Sequence, residues 1–323
     1  MIRKLFLLAM FAALAVCLSG CKKTLPEPTV YGAAVILDID FLSGDVTKAQ
    51  TSAETNVNRL QVGLYNAAGE LEWENTYEYA FSTIKTITGL TEGPKTIVAV
   101  ANKQVTMPAT LEEFYAVPVS LEENRRDAFV MSGTETAEAS VDPKVTTIHL
   151  RRLVSKITVR SSLSVSWTDG KQHTFSPTRI YLANVATKTN LKGDVFEEFA
   201  NPREENAQTK DEILRDFTVA ERDYWVSGGV FNHGVDFYVC PNSSPERKTT
   251  LIIQAEYDNR TCYYPLVVSD EVIMNTMYRC GAVKITCGGM PSPSDDFSSI
   301  RVSYNYESAD WVPGATPDSI IFE

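Results

Sequence analysis

Residues 32–41, GAAVILDIDF, set the reading of this chain. From Val35 onward a large apolar side chain recurs at every second position, at Val35, Leu37, Ile39 and Phe41, with Asp38 and Asp40 between the last three. Successive side chains of a strand point to opposite faces, so this two-residue period predicts a half-buried β-strand. Asp38 and Asp40 then share its solvent face. Calcium would need six or more oxygens, and no glycine-rich acidic loop supplies them.

The same period returns along the chain. Arg59–Tyr65 alternates and is closed by the turn residues Asn66-Ala67-Ala68-Gly69. Further strands are predicted over 82–88 and 95–101, divided by the turn signal Thr91-Glu92-Gly93-Pro94, and over 145–165, where Arg151-Arg152 interrupts the alternation as a bulge would. Those two cations also fit the role of charges that keep a sheet edge from pairing. Beyond them, strands are expected over 179–185, 235–240, 249–257, 262–268, 278–287 and 299–306, with a long polar loop at 197–215. One short helix is expected over 111–117, capped by Thr110. Many short strands separated by turn signals predict an all-β chain built from sandwiches.

The N-terminus reads differently. Arg3 and Lys4 precede an apolar run that ends in Leu18-Ser19-Gly20-Cys21, the pattern of a lipoprotein signal whose cysteine receives the lipid. Residues 1–20 are read as signal peptide and 21–30, with two prolines, as a tether. Residues 31–144 form a first sandwich domain and 145–323 a second, divided near Asp142-Pro143-Lys144. The lipid on Cys21 would hold the mature chain on a bilayer from outside, exposed in the cell envelope. Loss of Arg3 and Lys4 would take the formal charge from -11 to -13, a balance that argues against nucleic acid as a partner.

No residue pattern points to catalysis. There is no GxSxG, and no two of the many carboxylates are marked as a pair. Neither a cofactor nor a metal is expected: Cys240, Cys262, Cys280 and Cys287 form no CxxC, and no histidine lies close by in sequence. Those four cysteines are compatible with buried thiols or with one or two disulfides. The tryptophans Trp73, Trp167, Trp225 and Trp311 are read as core anchors, with sugar stacking as the alternative. Gly228-Gly229 and Gly288-Gly289 read as turns.

In order, the lipobox, GAAVILDIDF, a basic residue in the following loop, RLQVGLYNAAGEL, GPKTIVAVANK, LRRLVSKITV, PTRIYLANVATKTNLKG, YYPLVV and YRCGAVKITCGGMPSPSDDF running into SYNYESADW resemble the fimbrillin family, the subunits of type V pili. The resemblance spans nearly all of residues 31–323. It implies two β-sandwich domains of the fimbrillin, transthyretin-like type with few short helices, and a structural role without catalysis. It also implies that a protease cuts after the first strand, here between Lys48 and Ala49, although the best-known members carry arginine at that point. The removable strand is then Val35, Leu37, Ile39 and Phe41, and the donor strand lies in the C-terminal tail at Ile320, Ile321 and Phe322. The implied partners are other pilin subunits, as a homopolymer or with anchor and tip proteins. The resemblance also makes the bilayer that holds Cys21 the outer membrane. The alternatives are an anchor or tip role in the same fimbria, or a monomeric surface lipoprotein that binds glycan or a host ligand.

Overall fold

The structure, a computed structural model, describes residues 32–41, 53–78, 84–159, 162–200, 214–227, 229, 235–292, 302–303 and 306–311. The first half contains β1 (Ala33–Phe41), β2 (Arg59–Tyr65), β3 (Leu71–Glu78), β4 (Ile84–Leu90), β5 (Gly93–Ala101), α1 (Leu111–Ala116), β6 (Pro118–Ser120), β7 (Met131–Ala139) and β8 (Val145–Arg152). The longer strands form one sheet in the order β3-β2-β5-β7-β8-β1-β4. β7 and β8 share only the pairs Met131↔Arg152 and Ser132↔Arg151, so β8-β1-β4 folds over β3-β2-β5-β7 and the sheet becomes a sandwich. Its core joins Val35, Leu37, Ile87, Ile148 and Leu150 to Leu60, Val62, Leu64 and Ile97.

The other face of β2 and β5 is also covered. Tyr65, Val98 and Val100 pack with Met107, Phe114 and Val119 in a second, smaller core beneath α1. That helix starts where expected. Thr110 Oγ1 accepts from the Glu113 backbone N–H and the Glu113 carboxylate accepts from the Thr110 N–H, a reciprocal capping box.

The second half contains β9 (Ser155–Val159), β10 (Leu163–Val165), β11 (Phe175–Ala183), β12 (Val185–Ala186), β13 (Lys188–Asn190), β14 (Phe199–Ala200), β15 (Leu214–Asp216), α2 (Val219–Val226) and β16 (Val235–Val239). It continues with β17 (Thr250–Tyr257), β18 (Arg260–Val267), β19 (Thr276–Cys280), β20 (Val283–Ile285), β21 (Val302–Ser303) and β22 (Tyr306–Asp310). Two four-stranded sheets, β15-β11-β17-β18 and β16-β9-β19-β22, enclose Ile180, Leu182, Leu251, Ile253 and Tyr264 with Ile157, Phe237 and Tyr278. The fold is therefore all-β, with two short helices among the described residues.

Three expectations are corrected. Residues 145–152, expected to open the second domain, complete the first sheet, because β8 pairs along β1 and buries Ile148 and Leu150 in the first core. The change of sheet falls at 153–154. Arg151-Arg152 is consequently no bulge: β8 ends at Arg152 and β9 begins at Ser155 in the other sandwich. The run over 278–287 is two strands, β19 and β20, rather than one.

Candidate functional site

β1 is an interior strand. It runs parallel to β8, from Ile36↔Val145 to Phe41↔Leu150, and antiparallel to β4, from Ala33↔Leu90 to Asp38↔Ile84. Val35, Leu37 and Ile39 are only 1%, 0% and 2% exposed, so three of the four positions assigned to the removable strand lie in the sandwich core. Phe41 closes the strand opposite Leu150. Asp40 Oδ2 meets His149 Nδ1 of β8 at 2.9 Å on the outer face, which accounts for that carboxylate without a metal. Lys48, Ala49, Cys21, Ile320, Ile321 and Phe322 lie outside the described residues.

Where β8 ends, a buried charged cluster joins segments distant in sequence. Glu54, in the short turn Ala53–Thr55, accepts through Oε1 from Lys156 Nζ at 2.8 Å and Tyr238 OH at 2.7 Å, and through Oε2 from Trp311 Nε1 at 3.2 Å. Its backbone carbonyl accepts from Arg152 Nε and Nη2, both at 3.1 Å. Arg152 Nη1 donates to the Trp311 carbonyl at 2.9 Å, and the guanidinium lies 4.1 Å from the centre of the Trp311 ring. Arg152 is fully buried and Trp311 is 3% exposed. Lys156 also meets Asp236 Oδ2 at 3.1 Å, and the Phe129, Tyr238 and Trp311 rings close the cluster.

These charges compensate one another. Burial pushes the Glu54 carboxyl up, but the Lys156 ammonium and the hydrogen bonds from Lys156, Tyr238 and Trp311 hold it below the ordinary glutamate value. Burial brings Arg152 down to about 10, against the opposing pull of Glu54, so the guanidinium is still charged at neutral pH. Burial and the Glu54 carboxylate together push the Tyr238 hydroxyl up, which keeps it a donor. Arg152 thus overturns the reading of Arg151-Arg152 as edge guards; only Arg151 is exposed. The cluster left no sequence signal: its hydrogen bonds span 98 to 257 residues.

The remaining candidates are structural. Trp225 is fully buried with its ring tilted against Phe217, and with Trp311 it serves as a core anchor rather than a sugar platform. Cys240, Cys262, Cys280 and Cys287 are free thiols, and burial pushes Cys240 up to about 12, far from a reactive thiolate. Gly289 lies where an added Cβ would come within 2.8 Å of the Tyr263 carbonyl, a close backbone approach of the kind that favours glycine. Among the described residues no group of three or more His, Cys, Asp or Glu side chains gathers as a metal would require.

The family model for the major fimbrial subunit protein (FimA) matches residues 43–215. The chain belongs to that fimbrial subunit family. Solved structures share its fold at low identity. A Bacteroides eggerthii protein assigned to cell adhesion is 18% identical, with a TM-score of 0.68 over 87% of this chain and 96% of that one. Fimbrilin FimA of Porphyromonas gingivalis is 16% identical, with a TM-score of 0.63 over 88% of this chain and 99% of that one. The tip fimbrial protein Mfa3 of the same organism, with a C-terminal truncation, is 13% identical, with a TM-score of 0.52 over 86% and 100%. No curated protein matches the chain. Membership of the fimbrial family places the chain among cell-surface structural subunits, and the fimbrillin sandwich is the fold it shares with them.

Proposed function

We propose that this fimbrial subunit is exported as a lipoprotein through Cys21 and polymerises by strand exchange after a cut between Lys48 and Ala49. The observation that carries the reading is the position of β1. It is the first strand of its sandwich, it lies between β8 and β4 rather than at an edge, and only residues 42–52 join it to the rest of the described fold. Cutting that connection severs β1 from the strands that follow it in sequence, while β4, paired only to β1 among the described residues, would lose its strand partner and β8 would keep its short pairing with β7.

Loss of β1 would leave the inner edges of β8 and β4 without hydrogen-bond partners and open the trough filled by Val35, Leu37 and Ile39. An exposed sheet edge above an apolar trough is a template for an incoming strand, which gains main-chain hydrogen bonds and burial of alternate side chains. Burying four such side chains at about 1.5–3 kcal/mol each makes a durable joint. The Ile320-Ile321-Phe322 segment of another subunit is the assigned donor. A head-to-tail contact of this kind does not close on itself and yields a filament. The subunit serves adhesion at the cell surface as part of that filament, with no catalytic step.

The test is the N-terminal residue of protein sheared from cells. Ala49 is expected in the polymer. Polymer that still begins at lipidated Cys21 would overturn this route of assembly.

A further inference from the structure

The Glu54 cluster sits at the meeting point of the two segments that strand exchange must handle. Glu54 follows the assigned cut at Ala49 by five residues, and Trp311 precedes the assigned donor at Ile320 by nine. Both are held by the last residue of β8, the strand that flanks β1. One carboxylate takes both roles, because Glu54 Oε2 accepts from the Trp311 indole while Oε1 is held by Lys156 and Tyr238 of the second sandwich.

Resting on the strand-exchange reading, we propose that Glu54, Arg152, Lys156, Tyr238 and Trp311 form a junction clamp. It roots the segment after the cut and the segment before the C-terminal tail on the end of β8, and it stays closed when β1 leaves. None of its members lies in residues 33–52, so a cut there removes no partner. Opening it at either root exposes the same cost. Withdrawing Glu54 leaves Asp236 as the carboxylate partner of Lys156 among the described residues and takes from Arg152 the carbonyl that its Nε and Nη2 share. Withdrawing Trp311 takes from Arg152 its aromatic cover and the shorter of the two hydrogen bonds of its Nη1, leaving only Asn275 Oδ1 at 3.4 Å. A buried charge that loses partners is expensive, so each root stabilises the other. The clamp thereby fixes the remaining chain from Glu54, five residues after the assigned cut, and fixes Trp311, nine residues before the assigned donor.

Coupling of this kind is reciprocal, and hydrogen exchange read by mass spectrometry on the full, uncut chain measures it. In the wild type, peptides over 53–59 and 306–311 are expected to be protected. Trp311→Phe keeps an aromatic ring but removes the indole donor, and should raise exchange over 53–59 by roughly ten-fold, the effect of one lost hydrogen bond to a charged group. Glu54→Gln should raise exchange over 306–311 by a similar factor. Unchanged protection of Thr250–Tyr257 verifies the fold; if either variant fails that check, Tyr238→Phe removes a single donor to Glu54 and should loosen both segments. The clamp is refuted if each substitution loosens only its own segment, or if 53–59 is unprotected in the wild type. After proteolysis at Lys48 and loss of β1, protection over 53–59 should persist, and its loss would refute the closed state. If the cut strand stays bound instead, the strand-exchange reading fails while the coupling measured on the uncut chain still stands.

Discussion

Arg152 ties three segments of the chain together. It is fully buried, and its guanidinium serves the carbonyls of Glu54 and Trp311 together with the Trp311 ring. Truncation in Arg152→Ala removes those donors and leaves the Glu54 carboxylate with one buried cation fewer, an expected loss of about 3–5 kcal/mol in urea unfolding. Arg151→Ala, one residue earlier on the exposed face, should stay within about 0.5 kcal/mol of the wild type. His173 offers a pH test. Its Nδ1 lies 2.6 Å from Asp258 Oδ2 and its Nε2 lies 2.8 Å from Asp169 Oδ2, and ionised carboxylates only accept, so both contacts are hydrogen bonds only when the ring is a doubly protonated imidazolium. The hydrogen bonds to Asp258 and then Asp169 raise the His173 pKa, while those from His173 lower both aspartates. Lys171, Tyr257 and Cys287 are the other titratable neighbours of this group. A raised imidazolium pKa stabilises below the unfolded value of about 6.5 and is lost as pH rises through the folded value; the aspartates act above about 3.9 and lose their effect in acid. The melting temperature gap between wild type and His173→Gln should thus peak near pH 5–6 and shrink toward pH 9, whereas a gap flat across that range would refute a charged clip.

At the scale of elements, β1 combines burial with an interior place in its sheet. Leu37 is 0% exposed at its centre and packs with Val62, Ile148 and Leu150. Leu37→Ala should cost the uncut subunit about 2–5 kcal/mol by thermal or urea unfolding. The same substitution should leave the stability of a subunit already freed of β1 unchanged, and a loss there would place Leu37 outside the departing strand. Strands with an apolar period, such as β1, β2 and β17, were legible as sequence. β3 and β7 were not. LEWENTYE and MSGTETAEA carry mixed side chains, half-buried or exposed along much of their length, and are strands because β2 and β5 pair with them. α2 does carry a local sign in the sequence, since Thr218 and Glu221 have the spacing of the capping box they form at its start.

For the whole molecule, the order of strands decides what removal of one strand would leave behind. β1 is the first described strand in sequence yet lies second from the edge of its sheet, so its removal would open a trough instead of trimming an edge. Nothing in residues 33–41 alone distinguishes those outcomes; that requires β4 on one side and β8 on the other. The junction of the two sandwiches follows the same logic. Asp142-Pro143-Lys144 looks like a boundary because it is a turn, but β8 still belongs to the first core, and the chain crosses only at 153–154.

The sequence by itself determined the all-β class, the face that β1 buries, the cap of α1 and the family resemblance, because periodicity, capping and motif order are properties of neighbouring residues. Only the tertiary structure decided that β1 is an interior strand, that Arg152 is buried rather than guarding an edge, and that Glu54 and Trp311 share one charged cluster. The physical reason is that a buried charge depends on partners brought together from 98 to 257 residues away, and no local pattern records that meeting.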